Sequence, residues 1–133
     1  MGAIRNHRDL HVWRRAMQLV EAMYATTALL PASECHGLTS QMRRAVVSVP
    51  SNIAEGNALN STAMYLRQLR IARGSLAELA TQFELASRLQ MVEPQQVPMP
   101  LLEEVDRMLQ GLIMALEKRR HAQGNGRRAD RPN

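Results

Sequence analysis

The stretch Gln41–Gly56 constrains the fold of this chain more than any other, because it has helical periodicity although a proline lies inside it. At 100° per residue, six apolar side chains fall within about 100° of arc and predict a face turned toward a core. These are Leu38, Met42, Ala45, Val46, Val49 and Ile53. Pro50 has no N–H for the carbonyl of Val46, so we expect a kink there, at a cost of about 3 kcal/mol.

A polar stripe follows the same predicted helix within about 80° of arc. It consists of Gln41, Arg44, Ser48, Asn52 and Glu55. Two interpretations are open: the stripe faces water and Pro50 separates two shorter helices, or Arg44, Asn52 and Glu55 enter a crowded boundary and fix the helix register. No second carboxylate or histidine shares this face, so a catalytic role for Glu55 is not indicated.

Three further segments have helical periodicity. The first begins near Asp9 as a candidate cap, ends at Leu30–Pro31 and carries one stripe of Leu10, Trp13, Met17, Val20, Tyr24 and Thr27. The kinked helix is expected to run from a cap at Thr39 to Gly56, taken as the left-handed residue that closes it. The third is capped by Ser61 and reaches about Met91, and the fourth runs from about Leu101 to Arg119, with Leu102, Val105, Leu109, Leu112 and Leu116 on one side.

Composition agrees with an all-α protein, since 45% of the 133 residues are apolar but only 3% are aromatic. Four amphipathic helices with short connections predict an antiparallel up-and-down four-helix bundle over residues 1–120. Residues 121–133 are predicted to be a basic, disordered tail. The last sixteen residues hold six basic residues and one acidic residue, which accounts for the whole net charge of +5. Attraction to polyanions must therefore come from this tail or from local clusters.

Several classes of site are not indicated. Cys35 is the only cysteine, and neither a secretory signal nor a membrane-spanning run is evident, so a cytoplasmic location is expected. His7 and His11 are four positions apart but have no evident third metal ligand, and nothing places an acid to activate Cys35 beside His36. We predict no catalytic residue, metal or cofactor.

The third segment has two apolar faces. Tyr65, Leu69, Ala72, Leu76, Leu79, Phe83 and Ala86 are predicted to fill the bundle core. A separate row, with heptad-like spacing, consists of Met64, Ile71, Glu78 and Leu85, with Gln82 and Leu89 nearby. Gly74 beside this row would let another helix approach closely. The row predicts an interface between copies of the chain, and the alternative is a set of scattered exposed residues on a monomer.

Arginines supply the candidate nucleic-acid contacts. In the predicted bundle these are Arg14, Arg15, Arg43, Arg44, Arg67, Arg70, Arg73, Arg119 and Arg120, and in the tail Arg127, Arg128 and Arg131. These arginines either face water or bind phosphate. Repetition of the same arginines around an oligomer would strengthen phosphate binding. All of Trp13, Tyr24, Tyr65 and Phe83 fall at positions interpreted as buried, so stacking on bases is not expected.

Together these residues resemble the bacterial 23S rRNA intervening-sequence protein family, also called S23-type four-helix-bundle proteins. The resemblance spans about Asp9 to Leu116 and depends on Trp13, on Gly37–Gln41, on the Arg43–Ala45 and Ser48–Gly56 motifs, and on Ile71–Leu79. It implies a ring-shaped homopentamer without established enzymatic activity, in which Gln41, Arg44, Ser48, Pro50, Asn52, Glu55 and Gly56 are structural. A similar architecture occurs in the accessory proteins of diversity-generating retroelements.

Two functions follow as hypotheses. The first is a non-enzymatic ring that binds the phosphate backbone of RNA or DNA through arginines. The second is an adaptor that presents a surface to another protein and binds no nucleic acid.

Overall fold

The computed structural model describes the backbone of residues 6–129 and the side chains of residues 6–124. Within that part of the chain there are four α-helices and no strands: α1 (His11–Thr27), α2 (Leu38–Ala58), α3 (Thr62–Arg88) and α4 (Met99–Ala129). Short 3₁₀ turns at His7–Asp9, Ala32–Glu34 and Pro94–Gln96 precede α1, α2 and α4. The prediction of an all-α protein with four helices is confirmed.

Each helix packs against the next along the chain, and α4 closes the bundle by packing against α1. The packing of α2 against α3 is the most extensive. Successive helices run antiparallel: Ser48 meets Ser75 near the middle of α2 and α3, whereas Gly56 near the end of α2 meets Tyr65 near the start of α3. The four helices therefore form a bundle around one core.

The core faces of α2 and α3 are those that periodicity predicted. All six apolar residues of the α2 stripe are buried, and so are Leu69, Ala72, Leu76, Leu79, Phe83 and Ala86 of α3. On α4, Leu102, Val105, Leu109 and Leu116 are buried, with Ile113 in place of the expected Leu112. Tyr65 is only half-buried, between the core and the surface.

The apolar stripe predicted for α1 reaches the core only at its two ends, where Leu10 and Thr27 are buried. The buried residues of α1 are Val12, Ala16, Leu19, Met23, Thr26 and Thr27. Trp13 and Val20 are half-buried, while Met17 and Tyr24 are exposed. A second apolar stripe of α1, through Ala16, Leu19 and Met23, faces the core instead. The helix is therefore rotated so that the stripe from Trp13 to Tyr24 lies at the edge facing α2.

Several predicted helix ends also differ from the structure. The N-cap of α1 is Leu10 rather than Asp9, which lies in the preceding 3₁₀ turn, and the helix ends at Thr27. Thr39 lies inside α2, and the Glu34 carboxylate accepts a hydrogen bond from the Leu38 N–H at 3.0 Å. Ser61 does cap α3, accepting a hydrogen bond from the Met64 N–H at 3.2 Å.

Gly56 does not close α2 in a left-handed conformation. No described glycine has positive φ, and the helix continues to Ala58. The left-handed residue is instead Gln90 after α3, with φ of 59°. A Cβ on Gly56 would lie 2.9 Å from Cδ1 of Tyr65 and 3.1 Å from Cβ of Gln68, so the glycine serves the close approach of α2 to α3.

The fourth helix is longer than predicted, since it continues past Arg119 to Ala129. Its last buried residue is Leu116, and every described side chain from Glu117 to Gly124 is exposed. The predicted domain boundary after residue 120 stays a prediction. The candidate side chains of Arg127, Arg128 and Arg131 lie outside the described residues.

Candidate assembly and nucleic-acid surfaces

The polar stripe of α2 borders α3. The Ser48 and Ser75 hydroxyl oxygens are 2.5 Å apart, and the Asn52 amide donates to the Ser48 carbonyl at 2.7 Å. Ser48 and Asn52 are half-buried and so lie at the helix boundary, as one of the two interpretations of the stripe requires. Arg44 and Glu55 are exposed, as the other interpretation requires, and form no ion pair within the described residues. The part of that interpretation in which Pro50 separates two shorter helices is wrong, because α2 is one helix from Leu38 to Ala58.

Pro50 lies inside α2 and is buried, and the hydroxyl and amide groups around it bond to the helix backbone. The Ser48 hydroxyl lies 2.7 Å from the Ala45 carbonyl oxygen, and the Ser51 hydroxyl donates to the Val47 carbonyl at 2.8 Å. These hydroxyls bond to the carbonyls on either side of Val46, the residue whose own carbonyl loses its helical donor to proline. The predicted kink at Pro50 stays a prediction.

One polar atom of α3 is buried without a hydrogen bond. Gln82 is 6% exposed, and its amide nitrogen donates to a Glu78 carboxylate oxygen at 3.3 Å. Its Oε1 atom has no partner within the described residues. A buried acceptor left unpaired costs free energy of folding, so Gln82 is a weak point of α3.

The predicted interface row on α3 is exposed on the isolated chain. We name Met64, Ile71, Glu78, Leu85 and Leu89 the α3 ridge. Met64, Ile71 and Leu85 are each between 41% and 45% exposed, which is a high value for large apolar side chains at regular spacing. A Cβ on the neighbouring Gly74 would have no heavy atom within 4 Å. Within residues 6–124 no side chain covers this ridge.

A second apolar surface lies between α1 and α2. It is a shallow furrow of about 380 Å³, lined by His7, Trp13, Met17, Val20, Val47, Pro50, Ser51 and Ala54. Met17 and Val47 are 38% and 40% exposed. We name this surface the α1/α2 furrow. Sequence reasoning missed it because the stripe of α1 that lines it was assigned to the core, although α1 carries two apolar stripes.

Three of the candidate arginines are held by carboxylates of α4. Arg15 forms an ion pair with Glu104, Arg70 with Glu117, and Arg73 with Asp106 at 2.9 Å. The hydrogen bond from Arg15 holds the pKa of Glu104 below its ordinary value, although partial desolvation acts in the opposite direction. These arginines tie α1 and α3 to α4 and are less available to phosphate than their exposure suggests.

Two more candidate arginines bond to the chain itself. The Arg14 side chain donates to the Arg8 carbonyl at 2.8 Å. The Arg43 side chain donates to the Thr27 hydroxyl at 2.8 Å, and its guanidinium lies 4.5 Å from the centre of the Tyr24 ring. Tyr24 is 42% exposed, so the expectation that every aromatic side chain is buried is wrong. The guanidinium above it nevertheless occupies the ring face that a base would need.

The remaining described candidates are exposed and form no ion pair with another described residue. Arg44 and Arg67 lie beside the α3 ridge, and Arg119 and Arg120 follow Lys118 near the exposed end of α4. No acidic residue occurs between Lys118 and Ala129. The end of α4 is therefore a cluster of cationic side chains in a segment that contains no acidic residue.

Other sites give no indication of chemistry. His7 packs edge-on against Trp13, with ring centres 5.0 Å apart, and within residues 6–124 no three ligand-type side chains converge as a metal site would require. Cys35 is exposed in the connection before α2. None of the described helices combines the length and apolar character needed to cross a bilayer.

Comparison with protein families adds one finding to this geometry. Residues 8–111 match the model of a family described as the 23S rRNA-intervening sequence protein. The chain belongs to this family. A comparison with curated proteins found no match.

In this 23S rRNA-intervening sequence protein, the residues that match the family include α1, α2, α3 and the first part of α4. The resemblance predicted from the Ser48–Gly56 motif is thereby confirmed. The α3 ridge and, apart from His7, the α1/α2 furrow lie within the matched residues, whereas the exposed basic end of α4 follows them.

Proposed function

We propose that this protein is a non-enzymatic, cytoplasmic helical bundle that self-associates into a ring, with a pentamer expected from the family resemblance, and binds nucleic acid through its arginines. The basic end of α4 carries the proposal. It extends as a helix past Leu116, the last buried residue among the described side chains, and presents Lys118, Arg119 and Arg120, which form no ion pair with a described residue.

The chemistry of this end suits the phosphate backbone rather than bases. Guanidinium and ammonium groups bind phosphate without regard to sequence, and release of counterions makes such binding sensitive to salt. Three cations on one chain form a weak site. Repetition of the site in a ring would bring several such ends to one nucleic acid and raise the avidity.

Self-association is supported by the α3 ridge. Its apolar side chains are partly exposed along seven-residue steps, and Gly74 leaves room for a second helix to approach. The same ridge favours the alternative function, an adaptor that presents an apolar surface to another protein. In the adaptor, the basic end of α4 would have no part in binding.

The test is fluorescence anisotropy of the full chain with labelled structured RNA and with labelled duplex DNA over a series of salt concentrations. We expect affinity that falls steeply with salt, by a log–log slope of about 0.9 for each phosphate neutralised on duplex DNA. The double variant Arg119→Ala/Arg120→Ala should weaken binding and reduce that slope, and removal of residues 125–133 should weaken it further.

The matched control is Arg88→Ala, since Arg88 is also exposed but pairs with Glu84 on α3. This variant should bind like the unmodified chain. Absence of salt-sensitive binding to both nucleic acids at near-physiological salt would refute nucleic-acid binding and favour the adaptor. Equal losses in the Arg88 and Arg119/Arg120 variants would show that general charge, not the end of α4, is responsible.

A further inference from the structure

We infer that copies of the chain associate head to tail, with the α3 ridge of one copy packed in the α1/α2 furrow of the next. The inference rests on the self-association part of the proposed function and names the two surfaces that meet. Its occupant is a second copy of this chain, and three features of the surfaces identify it.

The first feature is matched spacing. Met64, Ile71, Glu78 and Leu85 follow one another at seven-residue steps on α3. In the furrow, Trp13 and Val20 are also seven positions apart, and so are Val47 and Ala54. Seven helical residues rise about 10.5 Å, so side chains of the ridge can enter the spaces between successive furrow residues, as knobs enter holes in a coiled coil.

The second feature is charge. Glu21 lies one turn after Met17 on the exposed side of α1 and forms no ion pair with a described residue. Arg67 lies between Met64 and Ile71 beside the ridge, and it too is exposed and forms no ion pair with a described residue. When the ridge packs into the furrow, Glu21 of one copy and Arg67 of the next can pair at the rim of the contact. Charges at a rim determine the orientation of the partners more than their affinity.

The third feature is that one contact covers both apolar surfaces. A two-fold contact of ridge against ridge would leave Met17 and Val47 exposed in the furrow. A heterologous contact buries the ridge of one copy and the furrow of its neighbour, and repeats around the assembly.

The position of the surfaces also favours closure. The furrow lies between α1 and α2, and Glu78 of the ridge shares a polar recess with Gln41, Arg44 and Ser48 of α2. Both surfaces therefore border α2 rather than lying on opposite sides of the bundle. Each contact then turns the next copy relative to the last, which favours a ring over a straight filament.

The test uses two variants that each block one surface, Met17→Asp in the furrow and Ile71→Asp on the ridge. Both side chains are about two-fifths exposed, so each variant is expected to keep the helical circular dichroism of the unmodified chain. Particle mass is measured by light scattering for each variant alone and for an equimolar mixture. We expect each variant alone to have the mass of one chain and the mixture to form particles of two chains, joined by the one intact ridge and the one intact furrow.

Different outcomes refute different statements. A single-chain mass for the unmodified protein would refute self-association and with it this inference. An assembled unmodified protein with an assembled Met17→Asp variant would refute the furrow alone and leave the proposed function standing. A mixture that stays at the mass of one chain would also refute the pairing.

Cross-linking gives a second measurement that does not require loss of assembly. In a Cys35→Ser background, chains with Met17→Cys and chains with Ile71→Cys are mixed and oxidised. We expect disulfides between unlike chains and few between like chains. The control is Met114→Cys. Met114 is 68% exposed on α4 and lies outside both surfaces, so chains with this cysteine should not cross-link to Ile71→Cys chains. Cross-linking of Ile71→Cys chains mainly to one another would overturn the head-to-tail arrangement.

Discussion

Gly56 on α2 faces Tyr65 on α3 so closely that a Cβ added to the glycine would lie 2.9 Å from Cδ1 of the tyrosine ring and 3.3 Å from its backbone carbonyl oxygen. The absence of a side chain at residue 56 therefore sets the distance between the two helices that pack most extensively. Tyr65 completes this contact: its hydroxyl accepts a hydrogen bond from the Asn57 amide, and burial raises its pKa.

Gly56→Ala should destabilise the fold although alanine favours helix. The helix propensity gain is about 1 kcal/mol, whereas overpacking a close contact costs about 1–3 kcal/mol. We expect the free energy of unfolding to fall by about 1 kcal/mol. Urea denaturation followed by circular dichroism measures this change. A more stable variant would show that Tyr65 can move away at little cost.

Gly74→Ala is the matched control, because residue 74 lies inside α3 with nothing near its Cβ position. Here only the propensity term applies, so the free energy of unfolding should rise by up to about 1 kcal/mol. Both glycine variants are measured at a low protein concentration, so that association contributes as little as possible to the measured stability. A fall in stability comparable to that of Gly56→Ala would contradict the open environment of residue 74.

Gly74→Trp tests the surface beside the ridge. A large side chain fits the isolated chain at residue 74 but would obstruct a helix from a second copy. We expect a folded protein whose particle mass, measured by light scattering, shifts toward that of one chain. An unchanged mass would remove Gly74 from the interface.

Gln82→Met should stabilise the bundle. The substitution removes the unpaired Oε1 atom and keeps a side chain of similar length, while the bond lost to Glu78 is partly exposed. An unpaired buried acceptor costs about 1–3 kcal/mol, so a gain of about 1 kcal/mol in the free energy of unfolding is expected. Thermal and urea denaturation provide the measurement.

The control for this substitution is Gln110→Met on α4. The Gln110 amide donates to Asp106 at 2.8 Å, so its removal gives no relief from an unpaired atom and should not stabilise. A comparable gain in both variants would indicate a general benefit of methionine in helices rather than relief of a buried acceptor.

Glu104→Gln should change the pH dependence of stability. The Arg15 hydrogen bond lowers the pKa of Glu104 in the folded state, so its contribution is present above the unfolded pKa and is lost as pH falls through the folded pKa. The difference in urea midpoint between the unmodified chain and the variant should thus be largest near pH 7 and shrink in acid. A difference that does not depend on pH would show that the ion pair contributes nothing measurable.

The sequence predicted the fold where one stripe dominated a helix. Ile53 lies on the single apolar stripe predicted for α2, and it is buried. On α1, the stripe through Met17 and the stripe through Leu19 have the same spacing, and periodicity cannot choose between them. The choice depends on which stripe fits the neighbouring helices α2 and α4, and only the assembled bundle decides that.

The candidate surfaces were predictable to a similar degree. The exposed ridge through Ile71 followed from its angle on the helix wheel. The pairing of Arg15 with Glu104 did not, because 89 positions separate the two residues and their meeting depends on how α1 and α4 align. Sequence alone therefore overstated the number of free arginines.

The up-and-down order of the helices gives each subunit a direction. Arg70 near the start of α3 pairs with Glu117 of α4, so the end of α4 lies beside the start of α3. In an up-and-down bundle this is also where α1 begins and α2 ends, and Arg119 and Arg120 project there. Rotation about a single axis relates the subunits of a closed ring, so every such end would emerge on the same rim. The two rims would then differ in charge, and a polyanion would approach the assembly from one side only.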